Sequence, residues 1–161
     1  MTRLGDAFHA LTLRAGVYLQ CHMWLWWVLN LTWGLFNVVV GAIAFAILAC
    51  THHAKVRRYH TALYCTYGEN WGGVSLGTCF AVAGGMGDAY TTHTMMHEYG
   101  HTFQSAIFGP FFYPLIGIPS FIRYLIHRHR LTKGLPCTEY DAIWFEGSAT
   151  ALGEIYEAQL D

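Results

Sequence analysis

A mainly α membrane protein is the fold class this sequence predicts, on three observations. From Ala15 to Ala54 there is no Asp, Glu, Lys or Arg. A H-E-x-x-H motif, His97-Glu98-Tyr99-Gly100-His101, stands in a proline-free stretch from Thr91 to Phe108. A final segment, Glu139 to Leu160, has apolar positions at helical spacing. The expected architecture is an N-terminal transmembrane helix or helical hairpin (residues 1–58), then a zinc-site domain (residues 59–161). That domain holds one short strand, the motif helix and a later helix presenting a glutamate.

The first observation is the strongest for a bilayer. Charged residues make up only 12% of the 161-residue chain, against about 25% in a soluble domain. The mean hydropathy is +0.29. A net charge of −1 gives no footprint for nucleic acid. Met1 to Arg14 is a short mixed segment suited to an amphipathic helix. The uncharged run after it carries Trp24, Trp26, Trp27 and Trp33, then the apolar Val38 to Cys50. About 20 apolar residues cross a bilayer, and tryptophan gathers at its interfaces. The run holds either one tilted span or a hairpin turning near Asn30 to Asn37. Lys55, Arg57 and Arg58 follow it and set the next segment in the cytoplasm. His52, His53 and His60 beside them read as interfacial polar residues, since adjacent histidines cannot share a helix face.

Gly72 to Gly85 reads as a strand between glycines. Its uses are a sheet edge that binds extended substrate, an ordinary core strand, or else a third apolar helix. Asp88 or Thr91 is the expected cap of the motif helix, and Gly109-Pro110 its end. Residues 107–126 are apolar but carry Pro110, Pro114 and Pro119. They therefore suit a re-entrant or interfacial segment better than a regular span. Arg123 to Lys133 follows as a basic run facing anionic headgroups, with His127 and His129 as solvated members. Five scattered cysteines provide no disulfide framework.

The chemistry lies in the motif. Residues four apart share a helix face, so His97 and His101 can aim two imidazoles at one Zn2+. Glu98 can reach a water held there and act as general base. Catalytic zinc takes a third protein ligand. In the last segment Glu146, Thr150 and Gly153 fall on one face, a carboxylate followed by small residues, suited to close packing on Gly100. Glu146 is the expected third ligand, with Glu154, Asp141 and Glu139 as competitors. His93, one turn before His97, is a further ligand, a proton shuttle, an outer hydrogen-bond partner, or simply a polar residue at the helix start.

These residues resemble the gluzincins, zinc peptidases with H-E-x-x-H on one helix and a glutamate ligand on a later one reading E-x-x-A/S-D-x-x-G/A. Glu146-Gly-Ser-Ala149-Thr150-Ala-Leu-Gly153 follows that pattern with threonine in place of aspartate. The run HEYGHTFQS also resembles small bacterial membrane proteins with a HEYGH motif. The resemblance implies peptide-bond hydrolysis with zinc on His97, His101 and Glu146 and Glu98 as base. Thr150 would hold a ligand histidine from outside, and Tyr140, Tyr156 or His127 would donate to the oxyanion. It further implies a bacterial inner-membrane protein with the site on the cytoplasmic side, acting on peptides or membrane proteins. The competing expectations are a membrane scaffold with a structural or vestigial zinc site, and a zinc hydrolase of a non-peptide substrate.

Overall fold

Breaks inside the uncharged run decide how it folds. The computed structural model describes residues 3–52, 54–69, 71–85 and 87–160, which leaves His53 outside the described residues. It divides the run among α1 (Arg3–Cys21), α2 (Met23–Leu31) and α3 (Leu35–His52). His22 separates the first two, and a turn at Thr32 to Gly34 separates the next. With nine residues, α2 covers about 14 Å at 1.5 Å per residue, half of what a bilayer core demands. The turn at Thr32 to Gly34 falls within the expected Asn30 to Asn37, but α2 is too short for a second span. Among the described residues α3 is the one unbroken helix long and apolar enough to cross a membrane, and only 17% of it is buried.

The inner side of α3 is polar for a reason. Asn37, fully buried, donates from Nδ2 to Gly109 O at 2.7 Å and to Ser105 Oγ at 3.0 Å. Trp33 Nε1 donates to Ile107 O at 3.3 Å. Trp33 of the α2–α3 turn and Asn37 of α3 thus satisfy carbonyls at the end of the motif helix, which would otherwise be orphaned.

Four strands follow: β1 (Val56–Tyr59), β2 (Ala62–Glu69), β3 (Gly73–Leu76) and β4 (Cys79–Gly84), in the order β1-β2-β4-β3. β2 and β4 are parallel, and the outer pairs are antiparallel. Gly72 to Gly85 is therefore a hairpin rather than the single strand expected. Gly77, at φ 70, makes the turn, and the alternation Val74, Leu76, Thr78 runs straight through it. The expected boundary at 58/59 falls inside β1. Leu19 and Trp26 share one apolar core with Ala62, Phe80, Tyr99, Phe103 and Leu152, so the N-terminal helices and the later elements pack together.

The motif helix, α4 (Asp88–Phe108), starts after Gly87 rather than with a side-chain cap from Asp88 or Thr91, and ends at Gly109. Gly87, at φ 89, holds a backbone conformation that asparate or threonine rarely adopts. Residues 97–106 of α4 are all buried, enclosed by α1, α2, α6, β3 and β4. The chain then bends by 117° through short turns at Gly109–Phe111 and Tyr113–Gly117 into α5 (Ile118–Thr132), which has no buried residue. A 3₁₀ turn, Tyr140–Ala142, precedes α6 (Trp144–Ala158).

Candidate metal centre

Two glycines let α4 and α6 approach closely enough to share a site. A Cβ on Gly100 would lie 1.9 Å from Ala149 O, and one on Gly153 would lie 2.1 Å from Met96 O. Each helix thus presents its glycine to the other's backbone. Between these two contacts Glu146 and Thr150 of α6 face His97 and His101 of α4.

The three ligand atoms form a nearly equilateral triangle. His97 Nε2 lies 3.1 Å from His101 Nε2 and 3.1 Å from Glu146 Oε2, and His101 Nε2 lies 3.4 Å from that oxygen. A tetrahedral ion with bonds of about 2.0–2.1 Å sets its ligands roughly 3.3 Å apart. The triangle therefore has the dimensions of three corners of a zinc tetrahedron.

Hydrogen bonds behind the ligands aim the lone pairs. Ser148 Oγ gives its proton to Trp144 O at 2.6 Å, so it accepts from Gln104 Nε2 at 2.9 Å. The same amide nitrogen donates to Phe145 O at 2.7 Å. That fixes Gln104 with Oε1 toward His101 Nδ1, 2.6 Å away, and puts the imidazole proton on Nδ1. His101 Nε2 is then the ring nitrogen turned into the triangle as a ligand. Thr150 Oγ1 lies 2.8 Å from His97 Nδ1 and does the same for His97 when it accepts.

Glu146 is fully buried, and its Oε2 is flanked by the two imidazole nitrogens at 3.1 and 3.4 Å. A carboxylate desolvated in this way is costly unless positive charge joins it. Burial raises its pKa, but His101 and His97 outweigh burial and hold the carboxyl far below its usual range. The fit to a divalent cation thus rests on donor type, spacing and a buried carboxylate turned toward both imidazoles. His97, His101 and Glu146 are a group able to hold a metal ion.

Glu98 is 5% exposed and sits against β3. A Cβ on Gly73 would lie 2.5 Å from its Oε1, so residue 73 must be glycine for the carboxylate to keep its place. Burial pushes the Glu98 carboxyl up, and His101 and His97 pull against that. β3 is an edge strand. Ala83 N donates to Gly72 O at 2.9 Å, which makes 72/83 and then Val74/Ala81 the mutually bonded pairs. Gly73 and Ser75 consequently turn their N–H and C=O groups away from β4, toward the unpaired strand edge, where Gly73 is half-buried and Ser75 buried.

The other candidates separate by position. Tyr140 belongs to the site: its ring is 6.2 Å from that of His97, and burial followed by the charge of Glu146 keeps its hydroxyl protonated. Tyr156 lies on the opposite face of α4, packed on Tyr99 at 5.0 Å and His60 at 4.9 Å. His127 meets Tyr140 edge to face at 5.5 Å and is not one of the ligand group. His93 and Glu154 are exposed, Glu139 is exposed at the foot of the 3₁₀ turn, and Asp141 lies within that turn. None of these four joins the ligand group. His60 pairs with Glu157 at 2.7 Å instead of standing free at an interface. Gln104 is the functional residue that sequence reasoning missed. Its signal was position: three residues after His101, it sits on the same helix face.

Comparison with protein-family models, with curated proteins and with solved structures finds no match.

Proposed function

We propose that this chain is a membrane-anchored zinc peptidase of the gluzincin type. The observation that carries the reading is the His97–His101–Glu146 triangle with Glu98 beside it under an open strand edge. Bound in the triangle, zinc supplies a Lewis acid that lowers the pKa of a coordinated water toward neutrality. Glu98 takes the proton of the attacking water on its carboxylate and passes it to the leaving amine. Tyr140, protonated and facing the triangle, donates to the oxygen on which charge develops. Gly73 and Ser75 offer main-chain N–H and C=O groups to a peptide laid along β3, so the substrate enters extended. A purely structural zinc site has no use for a buried base beside an open edge.

The membrane part of the reading rests on α3 and on the unpartnered apolar side chains around it. α3 crosses the bilayer, α4 stays inside the protein, and the α4–α5 bend is re-entrant or interfacial. The basic residues after α3 support a cytoplasmic setting for that end; with the resemblance to bacterial membrane proteins, the proposed setting is a bacterial inner membrane where peptides or membrane proteins are cut.

The test joins metal content to activity in the detergent-purified chain. Wild type and Glu98→Gln should each hold one equivalent of zinc by elemental analysis. Peptide hydrolysis should fall by roughly 10²–10⁴ in Glu98→Gln. A folded wild type without zinc would sink the reading. Zinc with equal, negligible hydrolysis in both forms would turn it into a structural site. Cleavage of lipid but never of peptide would leave a zinc hydrolase of another class.

A further inference from the structure

Away from the metal centre, α5 is the element whose side chains find fewest partners. Its apolar residues Ile118, Phe121, Ile122, Leu125 and Ile126 recur at helical spacing on one stripe, and each is between 48% and 61% exposed. From Tyr99 to Thr138 the chain has no acidic residue, yet it carries Arg123, Arg128, Arg130 and Lys133. Among the described residues none of these cations has a carboxylate partner. Beside the helix, between α5, the connector at 136–138 and the start of α6, lies a cleft of about 640 Å³. Ile122, Ile126, Ile143 and Phe145 give it an apolar floor, and Arg123, His127 and Arg130 stand at one side.

The arginines are positioned rather than loose. Arg130 Nε donates to Pro136 O at 2.9 Å, which holds its guanidinium at the cleft and leaves the terminal nitrogens without a partner. Arg123 donates from Nε to Tyr140 O at 2.8 Å and from Nη2 to Glu139 O, and lies over the Tyr140 ring at 5.5 Å. Arg123, which lines the cleft, is thus bonded to the turn that presents Tyr140 to His97.

We propose that this cleft binds one anionic phospholipid, its phosphate at Arg130 and the first methylenes of its acyl chains on Ile122, Ile126 and Phe145. Lys133, three residues further on and not itself part of the lining, adds positive charge nearby. The proposal rests on the membrane reading above and gives it a partner. Charge complementarity selects the ligand: four unpaired cations without an acid among them favour an anionic over a zwitterionic headgroup, while the apolar floor favours a lipid over a free anion. A lipid seated there braces the Tyr140 turn from behind.

The experiment titrates the detergent-purified full chain with dioctanoyl-phosphatidylglycerol and dioctanoyl-phosphatidylcholine and reads bound lipid by native mass spectrometry. Zinc content and resistance to carbonate extraction are recorded on the same preparation, so loss of the enzyme or membrane reading shows separately. Phosphatidylglycerol should bind one to one and about tenfold tighter than phosphatidylcholine. Arg130→Gln/Lys133→Gln should remove that preference with zinc content unchanged. Should the double variant fold poorly, Lys133→Gln alone, whose side chain holds no partner, should still lower the preference severalfold. Equal affinity for the two lipids, a preference that survives the double variant, or displacement by inorganic phosphate alone would each overturn the proposal.

Discussion

The α4–α6 seam and the outer face of α3 are built on opposite rules. In the seam, polar side chains are buried and nearly every donor is spoken for: Ser148, Gln104, His101, His97 and Thr150 form a connected set around Glu146. On α3, the apolar Phe36, Val39, Ile43 and Ile47 stand exposed, Phe36 meeting the Tyr113 ring at 6.0 Å. The contrast shows where specificity resides. The seam tolerates one geometry because backbone meets backbone at Gly100 and Gly153. The outer face of α3 asks only for an apolar surrounding, and many side chains satisfy that.

The sharpest way to break the contrast is to put a methyl group into the seam. Gly100→Ala drives a Cβ to within 1.9 Å of Ala149 O, and rigid backbone cannot yield as a side-chain tip does. The expected cost is about 3 kcal/mol or more, seen as a lower melting temperature in detergent together with loss of zinc. Ile43→Asp, 58% exposed at the middle of α3, should leave detergent melting and zinc content unchanged. It should cost about 3 kcal/mol only on insertion into a bilayer, read as loss of the carbonate-resistant fraction. If Ile43→Asp lowers the detergent melting temperature as Gly100→Ala does, the outer face of α3 is buried and the comparison fails.

The two regions also differed in how much could be read from residues alone. His97 and His101 meet because helical spacing fixes their direction, and Glu146 is placed by Gly100 and Gly153, whose lack of side chains predicts close approach. These are local rules carried by few residues. The N-terminal run obeys no such rule: every position from Ala15 to Ala54 is uncharged, so composition was blind to the breaks at His22 and Thr32–Gly34 that shorten α2. The sheet was harder still. β2 pairs in parallel with β4 across an intervening strand, and a non-local pairing leaves no mark in either segment. Gly77 carried the turn signal, but it sat inside an alternation that reads as one strand.

Within the seam, the two histidines are supported unequally, and this gives a finer test. Thr150→Val removes a single hydroxyl from His97 and should weaken zinc binding about tenfold. Gln104→Leu frees His101 and also strands Phe145 O and Ser148 Oγ at the start of the glutamate helix. Its loss should approach about 100-fold. Competition with a chromophoric chelator measures both. Equal losses would mean that Gln104 acts on His101 alone and does not hold Glu146 through α6.

The smallest effect is expected where the same helices meet water. At the far end of α6, Glu157 accepts from Tyr59 and from His60 Nε2 at 2.7 Å. This clasp ties the β1–β2 turn, where His60 holds φ 49, to the helix. Burial raises the Glu157 pKa, but the bonds from Tyr59 and His60 prevail and leave it below its ordinary value of 4.5. A depressed carboxylate pKa stabilises the fold above the unfolded value and loses that contribution as pH falls through the folded one. Glu157→Gln should therefore cost stability at neutral pH, and the gap from wild type should close on acidification below about pH 4.5. With the Glu157 side chain 34% exposed, solvent screening keeps the cost under about 1 kcal/mol. Melting curves of the two proteins across that range decide it. A gap that stays constant in acid would assign the clasp to Tyr59 and His60 packing on Tyr99 and Tyr156, with the carboxylate charge playing no part.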